Sequence, residues 1–421
     1  MRKFFILLLL AAALTASADE KYVGGDISLL PSYVTNGAKY QDLNGNAITS
    51  PLAFFGEQGM NAMRVRLFVD PKNASTEDKG QGVVQDLEYV KALGRQIKDA
   101  GMALMLDFHY SDSWADPAKQ WTPAAWASLS DTQLYDKIYE YTKSVLQEMK
   151  AAGATPDFIQ TGNEISYGMM WGRSSDSSPK KVHPNNDSNW PRFTTLLKKA
   201  VSACREECPD AKIVIHTERV AQPSILKAFY DKMGTYGVDY DIIGLSYYSY
   251  YHGNISALNT ALTQLENNFP TKKIMLVEVG YYHDWQPSNV TYDLSATYPI
   301  SADGQKAFTE ALIETANKHA NVNGFFWWWM EANEYGLDWN TKRVTDGWYN
   351  AGLFDNQTGR ALPALYSLKN FLPVGSGVNQ TIATPQTSHR IYTISGLPIH
   401  TTSDMLPKGV YIIDGKKMVR K

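Results

Sequence analysis

The chain has 421 residues, a formal net charge of −3 and 12% aromatic residues. That length suits one large α/β domain with a small appendage, and its dispersed basic residues exclude the electrostatic footprint of a nucleic-acid binder. Its 25 tyrosines and 11 tryptophans exceed what a core alone usually takes and suggest aromatic platforms for a neutral ligand.

The N-terminus, "MRKFFILLLLAAALTASADE", has a short basic head, an apolar core and the small residues Ala16, Ser17 and Ala18. It reads as a signal peptide over residues 1–18, cut after Ala18. The apolar core falls short of the ~20 residues a spanning helix needs, and no other stretch is long and apolar enough to span a membrane. The expected product is a secreted protein, extracellular, at the cell surface or periplasmic.

Eight β-rich runs follow, each with a loop and then a segment of helical periodicity. They begin at Tyr22 ("YVGGDISLL"), Ala62 ("AMRVRLFV"), Met102 ("MALMLDFHY"), Asp157 ("DFIQTGNE"), Lys212 ("KIVIHTE"), Tyr240 ("YDIIGLSYY"), Lys273 ("KIMLVEVGYY") and Asn323 ("NGFFWWWM"). Between them, "VVQDLEYVKALGRQIKDAG" and "DTQLYDKIYEYTKSVLQEMKAAG" read as helices closed by glycine. Eight repeats of strand then helix predict a (β/α)8 TIM barrel over residues 19–373. In "SACREECPDAK", Cys204 and Cys208 near a helix end are read as structural, either bridged or free.

Residues 374–389 are polar and without periodicity, which predicts a linker. Residues 390–421 read as a short β-rich C-terminal tail with turns at "SGLP", "PKG" and "DGKK". This tail resembles the C-terminal tail of many secreted Bacteroidetes proteins.

In such barrels the C-terminal ends of the strands face the active site. The predicted strands end in Arg64/Arg66, Asp107/His109, Asn163/Glu164, His216/Glu218, Tyr247/Tyr248, Glu278 and Trp327/Trp328. Among these, Glu164 and Glu278 close the fourth and seventh strands. Retaining glycoside hydrolysis needs two carboxyl groups ~5–5.5 Å apart, one as acid/base and one as nucleophile, and a barrel mouth can supply that separation.

The words around these residues resemble glycoside hydrolase family 53, the endo-β-1,4-galactanases of the retaining barrel clan. They are "MRVRLFVDP", "LDFHYSDSWADPAKQ", "FIQTGNEISYGMMW", "IIGLSYYSYYHG", "LVEVGYYHDW" and "AGLFDNQTGRALPAL", in the family's order over residues 22–373. The resemblance implies a monomeric enzyme hydrolysing the β-1,4-galactan of pectin and type I arabinogalactan with retention. It implies Glu164 as acid/base, Glu278 as nucleophile kept ionised by Arg66, and Asn163 on the sugar 2-hydroxyl. It further implies Tyr247 as a restraint on Glu278, and His109 against the sugar or the acid/base. Trp328 would floor the −1 subsite, with Trp327 as the fallback because "WWWMEANEYG" departs from the family's Tyr-Trp-Glu-Pro run; Trp114 and Trp121 would form the rim. Some bacterial members carry calcium in the loop after strand seven. Here "HDWQPSNVTYDLSATYPISADGQ" offers no assignable acidic cluster, so no metal and no cofactor is expected. The alternatives are another clan-related β-glycanase such as a mannanase, or a glycan-binding barrel without activity.

Overall fold

The computed structural model describes residues 20–373, apart from 184, 185 and 289, and beyond them four short strands. The expected signal peptide (1–18) and linker (374–389) lie outside the described residues. The chain divides into two compact units, one through Leu372 and one from Pro373.

The first unit is the expected (β/α)8 barrel. Its strands are β1 (Tyr22–Asp26), β2 (Ala62–Leu67), β3 (Ala103–Phe108), β4 (Phe158–Thr161), β5 (Lys212–Thr217), β6 (Ile242–Tyr248), β7 (Lys273–Gly280) and β8 (Val322–Trp327). All pair in parallel with their sequence neighbours, and β1 closes the barrel on β8. The principal helices are α1 (Pro51–Glu57), α2 (Leu87–Asp99), α3 (Asp131–Ala151), α4 (Trp190–Glu207), α5 (Pro223–Thr235), α6 (Ile255–Asn268), α7 (Ala302–Ala316) and α8 (Pro363–Ser367). Local sequence sets their ends. Asp86 caps α2 by accepting from Tyr89 N–H, and Ser130 and Gln133 form a capping box on α3. The two glycines expected to close these helices, Gly101 and Gly153, lie just beyond them at φ of 74° and 72°. Cys204 and Cys208 are buried and unbridged at the end of α4.

Side chains alternate between the barrel interior and the layer beneath the helices. Ala62, Met105, Phe158, Val214, Ile242, Met275, Val277 and Phe326 form a closed apolar cluster inside the barrel. A residue pair further along several strands, the interior turns polar: Asp26, Arg64, Asp107, Gln160 and His216 are all fully buried. Strand β7 breaks the alternation. Its pairing with β6 slips between Leu245–Leu276 and Ser246–Glu278, leaving Val277 as an extra residue. Such a bulge re-aims the side chain that follows it. Val277 and Glu278 therefore both face inward, the first into the apolar cluster and the second into the mouth.

The second unit holds an antiparallel sheet of Ile391–Thr393, Pro398–Ile399, Gly409–Ile413 and Lys416–Arg420, with the first strand between the second and third. Because the barrel closes on itself without these strands, a chain ending at Pro373 is expected to unfold within about 3 °C of the full chain by calorimetry. A larger fall would show that the tail completes the barrel's core.

Candidate active site

Arg64 on β2 is the hub of the polar layer. Its guanidinium meets Asp26 at 3.0 Å and Asp107 at 2.7 Å, donates to Asn163 Oδ1 at 2.9 Å, and ion-pairs Glu278 Oε1 at 2.9 Å. Burial opposes the charge on Arg64, but Asp107, Glu278 and Asp26 together hold its pKa above the ordinary value. Burial likewise works against the Asp107 carboxylate, and Arg64, with His109 and His216, together more than offset it, leaving its pKa below the ordinary value. Gln160 bridges Asp107 Oδ1 and Asn163 Oδ1, so the side chains of β1 to β4 form one connected network.

Glu164 stands just beyond β4. The turn there has Gly162 at φ 103° and Glu164 itself at φ 46°, a left-handed conformation that costs a non-glycine residue energy and recurs at functional sites. Gln120 Nε2 donates to the Asn163 carbonyl at 2.7 Å and Asn163 Nδ2 to the Ala115 carbonyl at 2.8 Å, pinning the turn to the loop after β3.

Ser246 on β6 joins the two carboxyl groups: its hydroxyl lies 2.6 Å from Glu164 Oε1 and 3.3 Å from Glu278 Oε2. Behind it stands His216, with Nε2 2.8 Å from Ser246 Oγ and Nδ1 3.1 Å from Gln160 Nε2. Burial, and then Arg64, push the His216 pKa well below its ordinary value. The same Nδ1 lies 3.0 Å from Asn163 Oδ1, so His216 ties Ser246 to both Gln160 and Asn163.

The two glutamates differ in their counter-charges. Burial raises Glu278 to about 7, with Arg64 and then a hydrogen bond from Tyr248 pulling the other way. Burial raises Glu164 well above the carboxylate range, and Glu278 and then Glu218 add to the effect. Among the described residues no cation lies within ion-pair distance of Glu164. A proton shared by the pair therefore resides on Glu164, and the negative charge on Glu278.

Glu164, Glu278 and Asn163 line a cavity of about 550 Å³ at the mouth, with Trp114, Trp328 and Trp348. Trp328 follows the inward face of β8. Trp327, the fallback, is turned outward and fully buried, its indole N–H on the Ala351 carbonyl.

Four sequence expectations are corrected. The tyrosine on Glu278 is Tyr248, whose hydroxyl donates to Oε2 at 2.8 Å; Tyr247 points to the opposite face of β6, stacks on Phe308 and donates to the Gly253 carbonyl. The cation on Glu278 is Arg64. Arg66 instead pairs with Asp26 at 2.7 Å and lies against the indoles of Trp114 (4.6 Å) and Trp328 (5.1 Å). His109 sits behind Trp114, accepting from Ala115 N–H and facing Asp107, outside the cavity lining. Trp121 packs edge-on against Trp171 and is likewise outside the lining. Ser246 was missed in the sequence, although alternation from Tyr248 along β6 places it on the same face.

Among the described residues no group of three or more His, Cys, Asp or Glu side chains is placed to hold a metal ion, and no helix is long and apolar enough to cross a membrane.

A closed parallel barrel with an asymmetric carboxyl pair at its mouth is the architecture of a glycoside hydrolase. Residues 22–368 match Glycosyl hydrolase family 53, and the chain belongs to that family. An arabinogalactan endo-β-1,4-galactanase of Cellvibrio japonicus is 32% identical over 86% of this chain and 95% of its own length. The family 53 catalytic domain of Ignisphaera aggregans superposes with a TM-score of 0.73 at 31% identity, covering 86% of this chain and 98% of that one. A fungal β-1,4-galactanase structure gives a TM-score of 0.67 at 26% identity over 83% and 98%.

The two tyrosines give a direct test. Tyr248→Phe removes a hydrogen bond to a charged group, worth ~1.5–3 kcal/mol, so kcat is expected to fall by roughly tenfold to a hundredfold. Tyr247→Phe is expected to keep kcat within about twofold and to cost about 1 kcal/mol of stability in urea unfolding. Equal kinetic losses would contradict this division.

Proposed function

We propose that the protein is an exported, retaining endo-β-1,4-galactanase acting on the galactan of pectin and type I arabinogalactan. The observation that carries the mechanism is the single Ser246 hydroxyl within 2.6 and 3.3 Å of the two carboxyl groups. It brings their nearest oxygens within about 6 Å, short of the ~6.5–9.5 Å that an inverting pair keeps for a water. The substrate reading is supported by the names of the relatives, and the export reading by the N-terminal sequence.

In the first step Glu278 attacks the anomeric carbon of the galactosyl residue lying over Trp328, and Glu164 gives its proton to the departing O4. A glycosyl ester on Glu278 results. In the second step Glu164, now a carboxylate, takes a proton from water, whose oxygen displaces the ester at the same carbon. Arg64 and Tyr248 hold the Glu278 carboxylate and stabilise it again as it leaves. Asn163, fixed by Arg64 and Ala115 at the cavity wall, is placed to meet the 2-hydroxyl of the reacting sugar. No step calls for a metal or cofactor.

The test of substrate and mode is a time course of products on linear β-1,4-galactan. The expected early result is a ladder of oligomers, with Glu278→Gln slower by at least about 10³-fold. A single short product from the start would replace internal cleavage with an end-acting mode.

The pH dependence follows from the two environments. Turnover needs Glu278 ionised, so the rate falls as pH drops through its value of about 7. It also needs Glu164 protonated, so the rate falls as pH rises through that raised value. The acid limb of kcat/KM is expected near pH 7. A limb near the ordinary glutamate value would show that Arg64 and Tyr248 outweigh burial at Glu278.

A further inference from the structure

The two sides of the cavity differ in chemistry. Trp114, Trp328 and Trp329 form an aromatic wall backed by Arg66. Across the barrel, the ends of β5 and β6 contribute Glu218, Tyr251 and His252. In a retaining cut, the sugar attacked by Glu278 lies against the aromatic wall. The departing oxygen must lie within reach of Glu164. The leaving residue therefore extends past Glu164, away from the indoles and over the end of β5.

Glu218 stands there, the first residue after β5. Its Oε1 accepts from the Ser166 hydroxyl at 2.6 Å and pairs with Arg219 Nε at 3.0 Å. Ser166 belongs to the turn that begins at Glu164, so the acid/base and Glu218 share one support. Arg219 is held in turn by Tyr167, its guanidinium 4.2 Å from the ring centre. The other oxygen, Oε2, has no hydrogen-bond partner among the described residues although Glu218 is only 8% exposed. A buried carboxylate oxygen left without a donor is costly. One oxygen of Glu218 is thus anchored, and the other lacks a donor in a residue that lines the cavity.

We propose that Glu218 accepts a hydrogen bond from the leaving galactosyl residue, at one of the hydroxyls flanking the O4 of the bond being cut, and so sets affinity on the acceptor side of the site. This rests on the galactanase reading. Substituents on those hydroxyls of the leaving residue would collide with Glu218, so a branch there is refused while the same branch further along is not excluded by this contact.

The test uses the purified full chain as wild type, Glu218→Gln and Glu218→Asp. On galactotetraose, kcat/KM is expected to fall roughly tenfold to a hundredfold in both variants, and on an aryl β-galactobioside, which places no sugar beyond Glu164, less than about threefold. With the aryl donor and added galactobiose, the acceptor concentration giving half-maximal transfer product should rise at least about tenfold. Glu218→Asp keeps the charge and withdraws the contact, so it separates contact from charge. If Glu218→Asp matches wild type and Glu218→Gln instead moves the alkaline limb of the pH profile, Glu218 only positions the Glu164 proton and the proposal falls. Equal losses on both substrates, or an unchanged acceptor dependence, also overturn it. Wild-type protein that leaves galactan uncut sinks the galactanase reading itself and this inference with it, whereas cutting by wild type with unaffected variants sinks this inference alone.

Discussion

Arg64 is the constraint on which the mouth of the barrel depends. A fully buried guanidinium survives only where its charge is met, and three carboxylates meet it, from β1, β3 and β7. Each gains from the same cation; Asp26 has a second one in Arg66, whereas Glu278 ion-pairs with Arg64 alone among the described residues. The arrangement ties structure and chemistry together. Asp26 and Asp107 fix the guanidinium, and the fixed guanidinium then determines the position and charge of Glu278. Asn163 is held by the same group, so the turn carrying Glu164 is referenced to the same point in space.

The division of labour between the two glutamates follows from what each faces. Both are buried, and burial alone would favour the neutral form of each. Glu278 is given a guanidinium and a phenol; Glu164 is given a serine and the fields of Glu278 and Glu218. Two side chains of one residue type are thereby raised unequally, Glu164 holding its proton more firmly than Glu278. Ser246 links them through one hydroxyl, and His216 behind it holds that serine in place.

The strands, their order and the residues at their ends were legible in the sequence, because alternation of apolar runs and amphipathic helices is written locally. Partner choice within the mouth was not. Reading Tyr247 as the residue on Glu278 required knowing which face of β6 is inward. That parity is fixed by the inward Ile242, with Ser246 and Tyr248 following it in regular alternation. On β7, by contrast, one extra residue at Val277 displaces the register, so Glu278 faces inward where regular alternation from Met275 and Val277 would turn it outward. Arg64 and Arg66 share a face of β2, so parity cannot separate them. What does so is depth: from its deeper position the Arg64 guanidinium reaches Asp107 and Glu278, while Arg66, one pair further out, pairs with Asp26 and reaches the indoles.

Depth also explains why the aromatic wall stays polar beneath. An indole face attracts a cation, and Arg66 supplies one to Trp114, Trp328 and Trp329 at once, while Asp26 balances its charge. His109 edges against Trp114 from the other side. The wall is therefore clamped before any sugar arrives, and a ring stacking on it need not spend binding energy ordering the indoles. The opposite rim shows the same logic with other chemistry: Glu218 is held by Ser166 and Arg219 on one oxygen, leaving the second without a hydrogen-bond partner among the described residues. Rigid apolar support on one side of the scissile bond and a rigid acceptor on the other would hold the bond itself where Glu278 and Glu164 meet, which is the geometry that a double displacement requires.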